Sequence, residues 1–417
     1  MRAVGAAVAG TGFIGPVHVE ALRRLGHRVV GVLGSSPQKG RAAADALGVP
    51  TAYPSFDALL ADPAVEVVHL ATPNRYHFDQ CRRAVAAGKH VVCEKPLATT
   101  AVESAELVRL AAANPHLVTA VCYNVRFYPL CLEARERVRA GRLGEVFHVT
   151  GSYLQDWLLD PGDFNWRVLA EAGGELRAVA DIGTHWLDLV TFITGLEVEA
   201  VCADLRTVHP ERLRPVGGRD TFANTFTKGV PVEPVAVTTE DYGSILVRFR
   251  RAGGVSPPCS GPRGCLTVSQ VTAGRKNCLR FDLAGSNASL AWDSEEPNTL
   301  RIGRRDGPSA LLTRDPALLA EGVRRFANYP GGHAEGFPDT FKQLFRAVYD
   351  AVLASRTRPD PRVCEAAERG RGESGEPGGS PYPTFADGHR EVLVCEAVLR
   401  SHREQRWVSV SPGEPRA

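Results

Sequence analysis

An acidic residue and a histidine stand four positions apart in the segment Asp181-Ile182-Gly183-Thr184-His185. Residues at this spacing share one face of a helix, so the Asp181 carboxylate and the His185 imidazole are expected to be neighbours. Such a pair suits proton transfer, because the imidazole titrates near neutral pH and the carboxylate can orient it or bind a substrate hydroxyl. The alternative is structural: Asp181 caps the helix, and His185 packs in the core against Trp186.

A lysine follows the apolar run in the segment Val91-Val92-Cys93-Glu94-Lys95-Pro96. The run predicts a buried strand of a parallel sheet, and ligands bind at the carboxyl ends of such strands. We therefore expect Lys95 at a ligand-binding edge, near where the nicotinamide of a bound dinucleotide would lie. The alternative is a surface lysine that precedes a loop proline.

The glycines of the segment Gly10-Thr11-Gly12-Phe13-Ile14-Gly15 lie between an apolar run and an amphipathic stretch. In such a turn the first glycine permits the tight bend, the second lets the backbone approach a pyrophosphate, and the third lets the helix pack on the strand. The segment predicts a dinucleotide site. The second strand ends near Ser35 and Ser36 without the acid that binds a ribose 2′-hydroxyl. Lys39 and Arg41 either meet a 2′-phosphate or are solvated charges of the following helix. NAD and NADP are therefore both open.

The elements that must position these residues change character along the chain. Short apolar runs alternate with amphipathic stretches as far as Cys122, which predicts βαβ units and a parallel sheet. Period-2 segments between residues 198 and 293 predict an antiparallel or mixed sheet. We expect an α/β protein with a doubly wound Rossmann domain in residues 1–125. Residues 126–417 would form a second α/β domain with a large, open, mainly antiparallel sheet and polar inserts near 251–264 and 368–380.

The composition excludes several classes of partner. The 417 residues carry 49 Lys+Arg and 47 Asp+Glu, so a formal net charge of +2 offers no field to attract nucleic acid or an anionic membrane. No apolar run approaches the roughly 20 residues of a membrane span, and no signal peptide is apparent. The ten cysteines show no C-x-x-C spacing for a metal site. These observations predict a cytoplasmic protein without a metal.

Several segments together resemble the glucose–fructose oxidoreductase / inositol dehydrogenase / rhizopine-catabolism family. The principal ones are Gly10–Gly15, Glu94-Lys95-Pro96, and Gly173-Gly174 followed by Asp181, His185 and Asp188. Supporting ones are Thr72-Pro73-Asn74 with His77, and the segment from Tyr123 to Pro129. Four further segments resemble a sugar-oxidising branch of this family. They are the segment from Ser152 to Leu158, Asn165-Trp166-Arg167, the segment from Tyr329 to His333, and the segment from Pro383 to Gly388.

The resemblance implies an N-terminal domain that binds NAD or NADP and a cleft that holds a sugar, glycoside or cyclitol. It also implies a homo-oligomer, a dimer or tetramer, formed through the outer face of the second sheet. The implied catalytic set is Lys95, Asp181 and His185. The expected cofactor-binding residues are Gly10, Thr11, Gly12, Phe13, Ile14, Gly15, Ser35, Ser36, Thr72, Pro73, Asn74, His77, Glu94, Lys95, Asn124, Trp166 and Arg167. The expected substrate-binding residues are Lys95, Tyr153, Gln155, Asp156, Trp157, Asp181, His185 and His333.

The expected reaction is oxidation of a secondary hydroxyl to a ketone by hydride transfer to nicotinamide, with His185 as general base. A 3-keto sugar is one expected product, and aminosugar or aminoglycoside biosynthesis is one expected setting. Two alternatives use the same fold. One is an NAD-dependent glycoside-cleaving enzyme with no net redox change, and the other is a sugar-sensing regulator that catalyses nothing.

Overall fold

Residues 3–216, 231–252, 260–356 and 380–410 are described by the computed structural model of the chain. The insert expected near 251–264 lies outside the described residues from 253 to 259. The insert expected near 368–380 lies outside them except for Ser380.

Six parallel strands form the sheet of the first unit, in the spatial order β3-β2-β1-β4-β5-β6. The strands are β1 Gly5–Ala9, β2 Arg28–Leu33, β3 Thr51–Ala52, β4 Val67–Leu70, β5 His90–Cys93 and β6 Thr119–Val121. The helices are α1 Ile14–Arg24, α2 Pro37–Leu47, α3 Phe56–Ala61, α4 His77–Ala86 and α5 Ala101–Ala113. The strand order reverses between β1 and β4, as in a doubly wound Rossmann sheet. The predicted fold of this part of the chain is therefore confirmed.

The first unit comprises Met1–Ala98, Val102–Cys122 and Phe341–His389. Its last segment includes most of the long helix α10, Phe337–Ser355. Phe341 and Phe345 of this helix pack on the ring of His18 in α1, with ring centroids 5.5 and 4.9 Å apart. Part of the sequence beyond residue 126 thus packs on the Rossmann sheet.

Nine strands form the main sheet of the second unit, in the order β16-β15-β14-β13-β7-β12-β11-β8-β17. Among the described strands β7 and β12 pair in parallel, and the other neighbours pair antiparallel. This mixed, mainly antiparallel sheet confirms the predicted architecture. Its strands are β7 Val146–Leu154, β8 Leu196–Arg206, β11 Tyr242–Arg251, β12 Arg263–Ser269, β13 Cys278–Gly285, β14 Ser289–Asp293, β15 Thr299–Gly303, β16 Ala310–Thr313 and β17 Val408–Ser409.

The second unit comprises Thr99–Ala101, Tyr123–Thr340 and Arg390–Ala417. A separate two-stranded sheet pairs β9, Glu211–Pro215, with β10, Val232–Ala236. The helices are α6 Pro129–Arg139, α7 Ala170–Gly173, α8 Thr184–Thr194, α9 Glu321–Arg324 and the greater part of α11 Phe385–Glu404.

Helix α8 covers one face of the nine-stranded sheet. Trp186 Nε1 donates a hydrogen bond to the Arg280 carbonyl oxygen at 2.8 Å. A Cβ added to Gly151 would lie 2.3 Å from Trp186 Nε1, so the approach of the helix requires glycine there. A buried ion pair between Arg126 and Asp188 anchors the other side of α8. No helix among the described residues has the length and apolar character of a membrane span.

Candidate active site

The carboxyl ends of four strands meet at one edge of the parallel sheet. Ala9 of β1 lies opposite Leu33 of β2 and Leu70 of β4, and Leu70 lies opposite Cys93 of β5. The predicted cofactor residues of the first unit follow these four strands directly, so the structure brings them to a single edge. They are Gly10 to Gly15, Ser35 and Ser36, Thr72 to Asn74, and Glu94 with Lys95. Ligands bind at this edge in doubly wound sheets.

The first turn uses its glycines for two different purposes. Gly10 has a φ of +104°, and a Cβ there would lie 2.2 Å from the Ala71 carbonyl oxygen. A Cβ on Gly15 would lie 2.2 Å from the Gly10 carbonyl oxygen, so both positions are needed for the turn itself. Gly12 is exposed, and a Cβ there would meet no atom within 4 Å. The backbone at Gly12 thus borders open space at the amino end of α1, where a pyrophosphate fits.

In the turn after β2 and the start of α2, one polar side chain caps the helix and three others are exposed to solvent. Ser36 caps α2, because its Oγ accepts the N–H of Lys39 at 3.2 Å. Ser35, Lys39 and Arg41 are exposed. The side chains available to a ribose 2′ substituent are therefore one hydroxyl and two cations, which does not decide between NAD and NADP.

His77 joins two of the loops at this edge. It is 1% exposed, and its Nδ1 lies 2.7 Å from the Pro96 carbonyl oxygen while its Nε2 lies 2.9 Å from that of Thr72. Burial lowers the pKa of His77, and a neutral imidazole donates to one of these two acceptors. The Thr72 hydroxyl donates to Gln80 Oε1 at 2.6 Å. These side chains hold the Thr72–Asn74 turn against the loop after Lys95.

Glu94 begins a chain of four buried polar side chains. Its Oε2 accepts the backbone N–H of Lys95 at 3.3 Å, and its Oε1 lies 3.1 Å from His18 Nε2. His18 Nδ1 lies 3.1 Å from His69 Nδ1, and His69 Nε2 lies 2.9 Å from the Tyr349 hydroxyl. All four residues are at most 7% exposed. The backbone that presents Lys95 is thus tied through α1 and β4 to α10.

The donor and acceptor groups of these four side chains determine the direction of the hydrogen bonds between them. When Glu94 is ionised it only accepts, so His18 must carry its proton on Nε2 and accept at Nδ1. His69 then donates from Nδ1 and accepts at Nε2 from the Tyr349 hydroxyl. Burial lowers the pKa of His69 well below its usual value, in keeping with the neutral form that this arrangement needs. Every link is satisfied in this direction.

Asp181 lies in a one-turn π-helix, Val179–Gly183, that leads into α8. Its Oδ1 faces Arg167 Nε at 3.4 Å, and its Oδ2 accepts an N–H from Gln270 Nε2 at 3.0 Å. A guanidinium and an amide N–H both favour the ionised carboxylate. The side chain is 16% exposed, so it is suited to accept a hydrogen bond from a ligand hydroxyl.

His185 stands in the first turn of α8 between two tyrosine rings. The Tyr123 ring meets it edge-on with centroids 5.7 Å apart, and the Tyr153 ring lies 6.2 Å away. Burial raises the pKa of both phenols above their usual value, so both stay neutral near neutral pH. The structure therefore brings Asp181, His185 and Tyr153 together in the second unit.

Tyr153 and Gln155 share an acceptor. The Tyr153 hydroxyl donates to Asn277 Oδ1 at 2.7 Å, and Gln155 Nε2 donates to the same oxygen at 2.8 Å. Gln155 is 1% exposed, and its Oε1 has no hydrogen-bond partner among the described residues. A buried acceptor of this kind calls for a donor such as a water or a ligand hydroxyl.

The structure gives Asp156 and Trp157 less direct roles than their neighbours. Asp156 Oδ2 forms an ion pair with Lys276 Nζ at 2.6 Å and accepts the N–H of Gly274 at 3.2 Å. Trp157 is partly buried in the turn that follows β7. Asp156 thus holds the Gly274–Lys276 loop beside the end of β7.

Three other predicted site residues have separate surroundings. Asn124 is 2% exposed and donates to the Thr340 hydroxyl at 2.7 Å. The Trp166 ring lies under the Arg167 guanidinium, 4.6 Å from the ring centre. His333 is exposed, and its Nδ1 lies 3.4 Å from the Gly331 carbonyl oxygen. Among the described residues no hydrogen bond joins His333 to Asp181 or His185.

Two residues at this site were not predicted from the sequence. Gln270 contacts Asp181, and Asn277 receives the hydrogen bonds of Tyr153 and Gln155. Gln270 directly follows β12, and Asn277 directly precedes β13. Sheet pairing places both beside β7, and no local motif marks either one.

Two family models match the chain. The model described as an oxidoreductase family with an NAD-binding Rossmann fold matches residues 4–121. The model of the GFO/IDH/MocA C-terminal domain matches residues 131–291. Together they span both units of the structure and agree with the predicted resemblance.

Similar proteins include named dehydrogenases. The levoglucosan dehydrogenase of Pseudarthrobacter phenanthrenivorans is 28% identical over 383 residues, which cover 90% of this chain and 88% of that protein. The inositol 2-dehydrogenase of Rhizobium meliloti is 27% identical over 403 residues, covering 96% and 98%. A solved structure of a levoglucosan dehydrogenase in complex with NADH and L-sorbose is similar with a TM-score of 0.81 at 25% identity, covering 99% of this chain and 100% of that one.

Proposed function

The chain belongs to the Gfo/Idh/MocA family of NAD-binding oxidoreductases, and from this premise we propose that it oxidises a secondary hydroxyl of a sugar, glycoside or cyclitol to the ketone. The observation that carries the proposal is the arrangement in the second unit. An ion-paired carboxylate, Asp181, precedes His185 by one turn, and two neutral tyrosines flank the imidazole. The levoglucosan and inositol dehydrogenases named above support a sugar or cyclitol as the substrate class.

The carboxyl edge of the first sheet holds the cofactor. The open space at Gly12 and the amino end of α1 fit a pyrophosphate, and the exposed Ser35 is proposed to contact the adenosine ribose. Bound nicotinamide supplies the acceptor for the hydride that leaves the substrate carbon. Asn124, Trp166 and Arg167 remain proposed contacts toward the nicotinamide half.

The chain's own residues move the proton. His185 accepts the proton of the reacting hydroxyl as general base, and Lys95 hydrogen-bonds the same oxygen and stabilises its developing charge. Asp181 accepts hydrogen bonds from substrate hydroxyls and orients the ring. Tyr153, Gln155, Asp156 and Trp157 form the remaining substrate wall, with the buried Gln155 Oε1 as an acceptor for a substrate hydroxyl. His333 is proposed as an outer contact.

Replacement of the proton-handling residues tests this assignment. In Lys95→Ala and His185→Ala we expect kcat to fall by a factor on the order of 10²–10⁴, because each general acid–base role contributes about that much. The dissociation constant for the cofactor, measured by fluorescence titration, should change only a few-fold. The matched controls are Lys89→Ala, whose ammonium group binds two backbone carbonyls at 3.0 and 2.7 Å, and His402→Ala, whose Nδ1 accepts the Leu205 N–H at 3.1 Å. Ordinary turnover in either site variant would falsify the assignment.

A substrate panel separates the proposed reaction from its alternatives. Sugars, glycosides, cyclitols, aminosugars and aminoglycosides are each incubated with NAD or NADP while reduced cofactor is followed by absorbance. We propose a ketone product, a 3-keto sugar where a pyranose is oxidised at that position, with aminosugar or aminoglycoside biosynthesis as the setting. Accumulation of reduced cofactor supports the dehydrogenase. Cleaved glycoside without accumulation supports the redox-neutral enzyme, and binding without any product supports a sensor.

The outer face of the nine-stranded sheet is proposed as the surface through which copies of the chain associate. Along β11, Ile245 and Val247 are fully buried whereas Leu246 between them is 49% exposed. Leu246 lies opposite Cys202 on β8 and Cys265 on β12, which extends a small apolar row across the face not covered by α8. A self-complementary apolar patch of this kind suits a twofold interface.

A further inference from the structure

Gln270 lies between the Asp181 carboxylate and a buried arginine. Its side chain is 1% exposed, and its Nε2 lies 3.0 Å from Asp181 Oδ2. Its Oε1 lies 3.3 Å from Nη1 of Arg177. Its backbone is also fixed, because its N–H donates to the Asp241 carbonyl and its carbonyl accepts the Leu158 N–H, both at 3.0 Å. The amide is therefore held at both ends.

The arginine determines which end of the amide faces Asp181. A guanidinium carries only donors, so the amide oxygen of Gln270 must face Arg177 and the amide nitrogen must face Asp181. Arg177 itself cannot rotate away. Its Nε donates to the Thr239 hydroxyl at 3.1 Å, and its Nη2 forms an ion pair with Asp241. The side chain of Arg177 is fully buried.

Asp241 completes the support behind Gln270. Its Oδ1 also accepts Nη2 of Arg212 at 2.7 Å, and its Oδ2 accepts the N–H groups of Val208 and His209 at 2.7 and 3.0 Å. Burial alone would raise the pKa of the Asp241 carboxyl, but Arg177 and these hydrogen bonds outweigh it and hold the pKa below its usual value. A permanent anion thus anchors Arg177.

We propose that Gln270 is a positioning residue that keeps the Asp181 carboxylate ionised and fixes the direction of its Oδ2. The amide nitrogen donates one N–H to Asp181 Oδ2, and Arg177 prevents the amide from turning its oxygen toward that carboxylate. The catalytic consequence rests on the proposed function, since Asp181 acts there on the substrate hydroxyls. The ionisation of Asp181 can be measured independently of any activity.

Several charged and titratable groups of the second unit surround Asp181 and enter any titration. Arg167 faces Oδ1 at 3.4 Å from the turn before α7, and His185 follows one turn later. Tyr153 faces it from β7, and the charge of Asp181 contributes to the raised pKa of that phenol. Arg177 and Asp241 act from behind Gln270. Removal of the Gln270 donor changes one neighbour and leaves these charges in place.

Two replacements at Gln270 test the proposal. Gln270→Glu keeps the acceptor for Arg177 but sets a carboxylate against Asp181, and Gln270→Leu removes the donor. Losing an N–H donor or gaining a like charge disfavours the ionised carboxylate. We expect the titration of the Asp181 carboxyl itself to move to higher pH by about one unit in Gln270→Leu and by more in Gln270→Glu. The Michaelis constant for the cofactor should stay within about twofold, a change of less than ~0.5 kcal/mol.

The control and a second readout separate positioning from stability. Thr239→Val removes a hydrogen bond from the same arginine without touching the amide, so it should lower the melting temperature and leave the Asp181 titration unchanged. Carbon-13 NMR of labelled aspartate carboxyls, with Asp181→Asn to identify the signal, reports the ionisation of Asp181 whether or not turnover is seen. An Asp181 titration identical in wild type and Gln270→Leu overturns the proposal. Absence of turnover in the wild type overturns only the proposed function.

Discussion

Ser35 is the residue at which the choice of cofactor is most open to change. It is exposed in the turn after β2, and Lys39 and Arg41 are exposed in the helix α2 that follows. A carboxylate there would repel a ribose 2′-phosphate and could bind a 2′-hydroxyl. We therefore expect Ser35→Asp to lower kcat/KM for NADP at least tenfold, or about 1.4 kcal/mol, without a loss for NAD.

Steady-state kinetics with both cofactors measure this effect. Ser55→Asp is the matched control, because Ser55 caps α3 with its hydroxyl, which accepts the Ala58 N–H at 3.1 Å, and aspartate caps helices equally well. That variant should keep the ratio of the two cofactors. An unchanged ratio in Ser35→Asp would show that the ribose does not lie beside β2.

The first turn of the π-helix that carries Asp181 is bound by a buried carboxyl group, that of Glu240. Glu240 accepts the backbone N–H of Arg177 at 3.0 Å on each of its oxygens and that of Val179 at 2.8 Å. Burial raises its pKa to about 7, although these N–H groups act in the opposite direction. A carboxyl with this pKa is protonated in the folded chain at pH values where the unfolded chain has already lost the proton.

The stability of the second unit should therefore fall as pH rises from about 4.5 to about 7, and then level off. Above the unfolded pKa the folded state binds more protons, so each unit of pH costs up to about 1.4 kcal/mol within this window. Glu240→Gln keeps an acceptor for the N–H groups but cannot ionise. Relative to this variant, the wild type should lose roughly 3 kcal/mol of unfolding free energy between about pH 5 and pH 8.

Urea unfolding at the two pH values gives these free energies. The control is Glu295→Gln, because Glu295 also accepts two backbone N–H groups, from Lys276 and Asn277 at 3.0 and 3.2 Å. There the N–H groups outweigh burial and lower the pKa, so no difference from wild type should develop above about pH 5. A parallel pH dependence of wild type and Glu240→Gln contradicts the role given to Glu240.

At the scale of the whole molecule, we expect copies of the chain to form a homo-oligomer through the face of the nine-stranded sheet that α8 does not cover. Leu246→Glu puts a charge into the apolar row of Cys202, Leu246 and Cys265, and burial of an unpaired charge opposes association. We expect the molar mass measured by light scattering to drop toward that of the monomer. Leu318→Glu is the control, since Leu318 is 58% exposed but lies outside the sheet. An equal mass for wild type and Leu246→Glu would place any interface elsewhere.

Sequence patterns identified those strands and helices that are encoded within a single short segment. The alternation of apolar runs with amphipathic stretches predicted βαβ units as far as Cys122, and the parallel strands from Gly5–Ala9 to Thr119–Val121 follow it, because each buried run lies within one short segment. The face shared by Asp181 and His185 was predicted from α-helical spacing, but Asp181 occupies a π-turn, whose wider hydrogen-bonding period no sequence pattern indicated. Gln270, Asn277 and the edge strands β15 and β16 depend on pairing between distant segments. Their positions follow from the strand pairing of the folded sheet, which the local sequence does not encode.

The buried chain from Tyr349 to Glu94 has a property that none of its members has alone. Its hydrogen bonds can run in two directions, and in each direction all four groups agree. When Oε1 of Glu94 carries a proton it donates to His18 Nε2, so the tautomers of both His18 and His69 reverse and the Tyr349 hydroxyl changes from donor to acceptor. The four side chains, which belong to separate elements, therefore change their hydrogen-bonding direction together. The orientation of the Tyr349 hydroxyl on α10 thus depends on the protonation state of Glu94 beside Lys95.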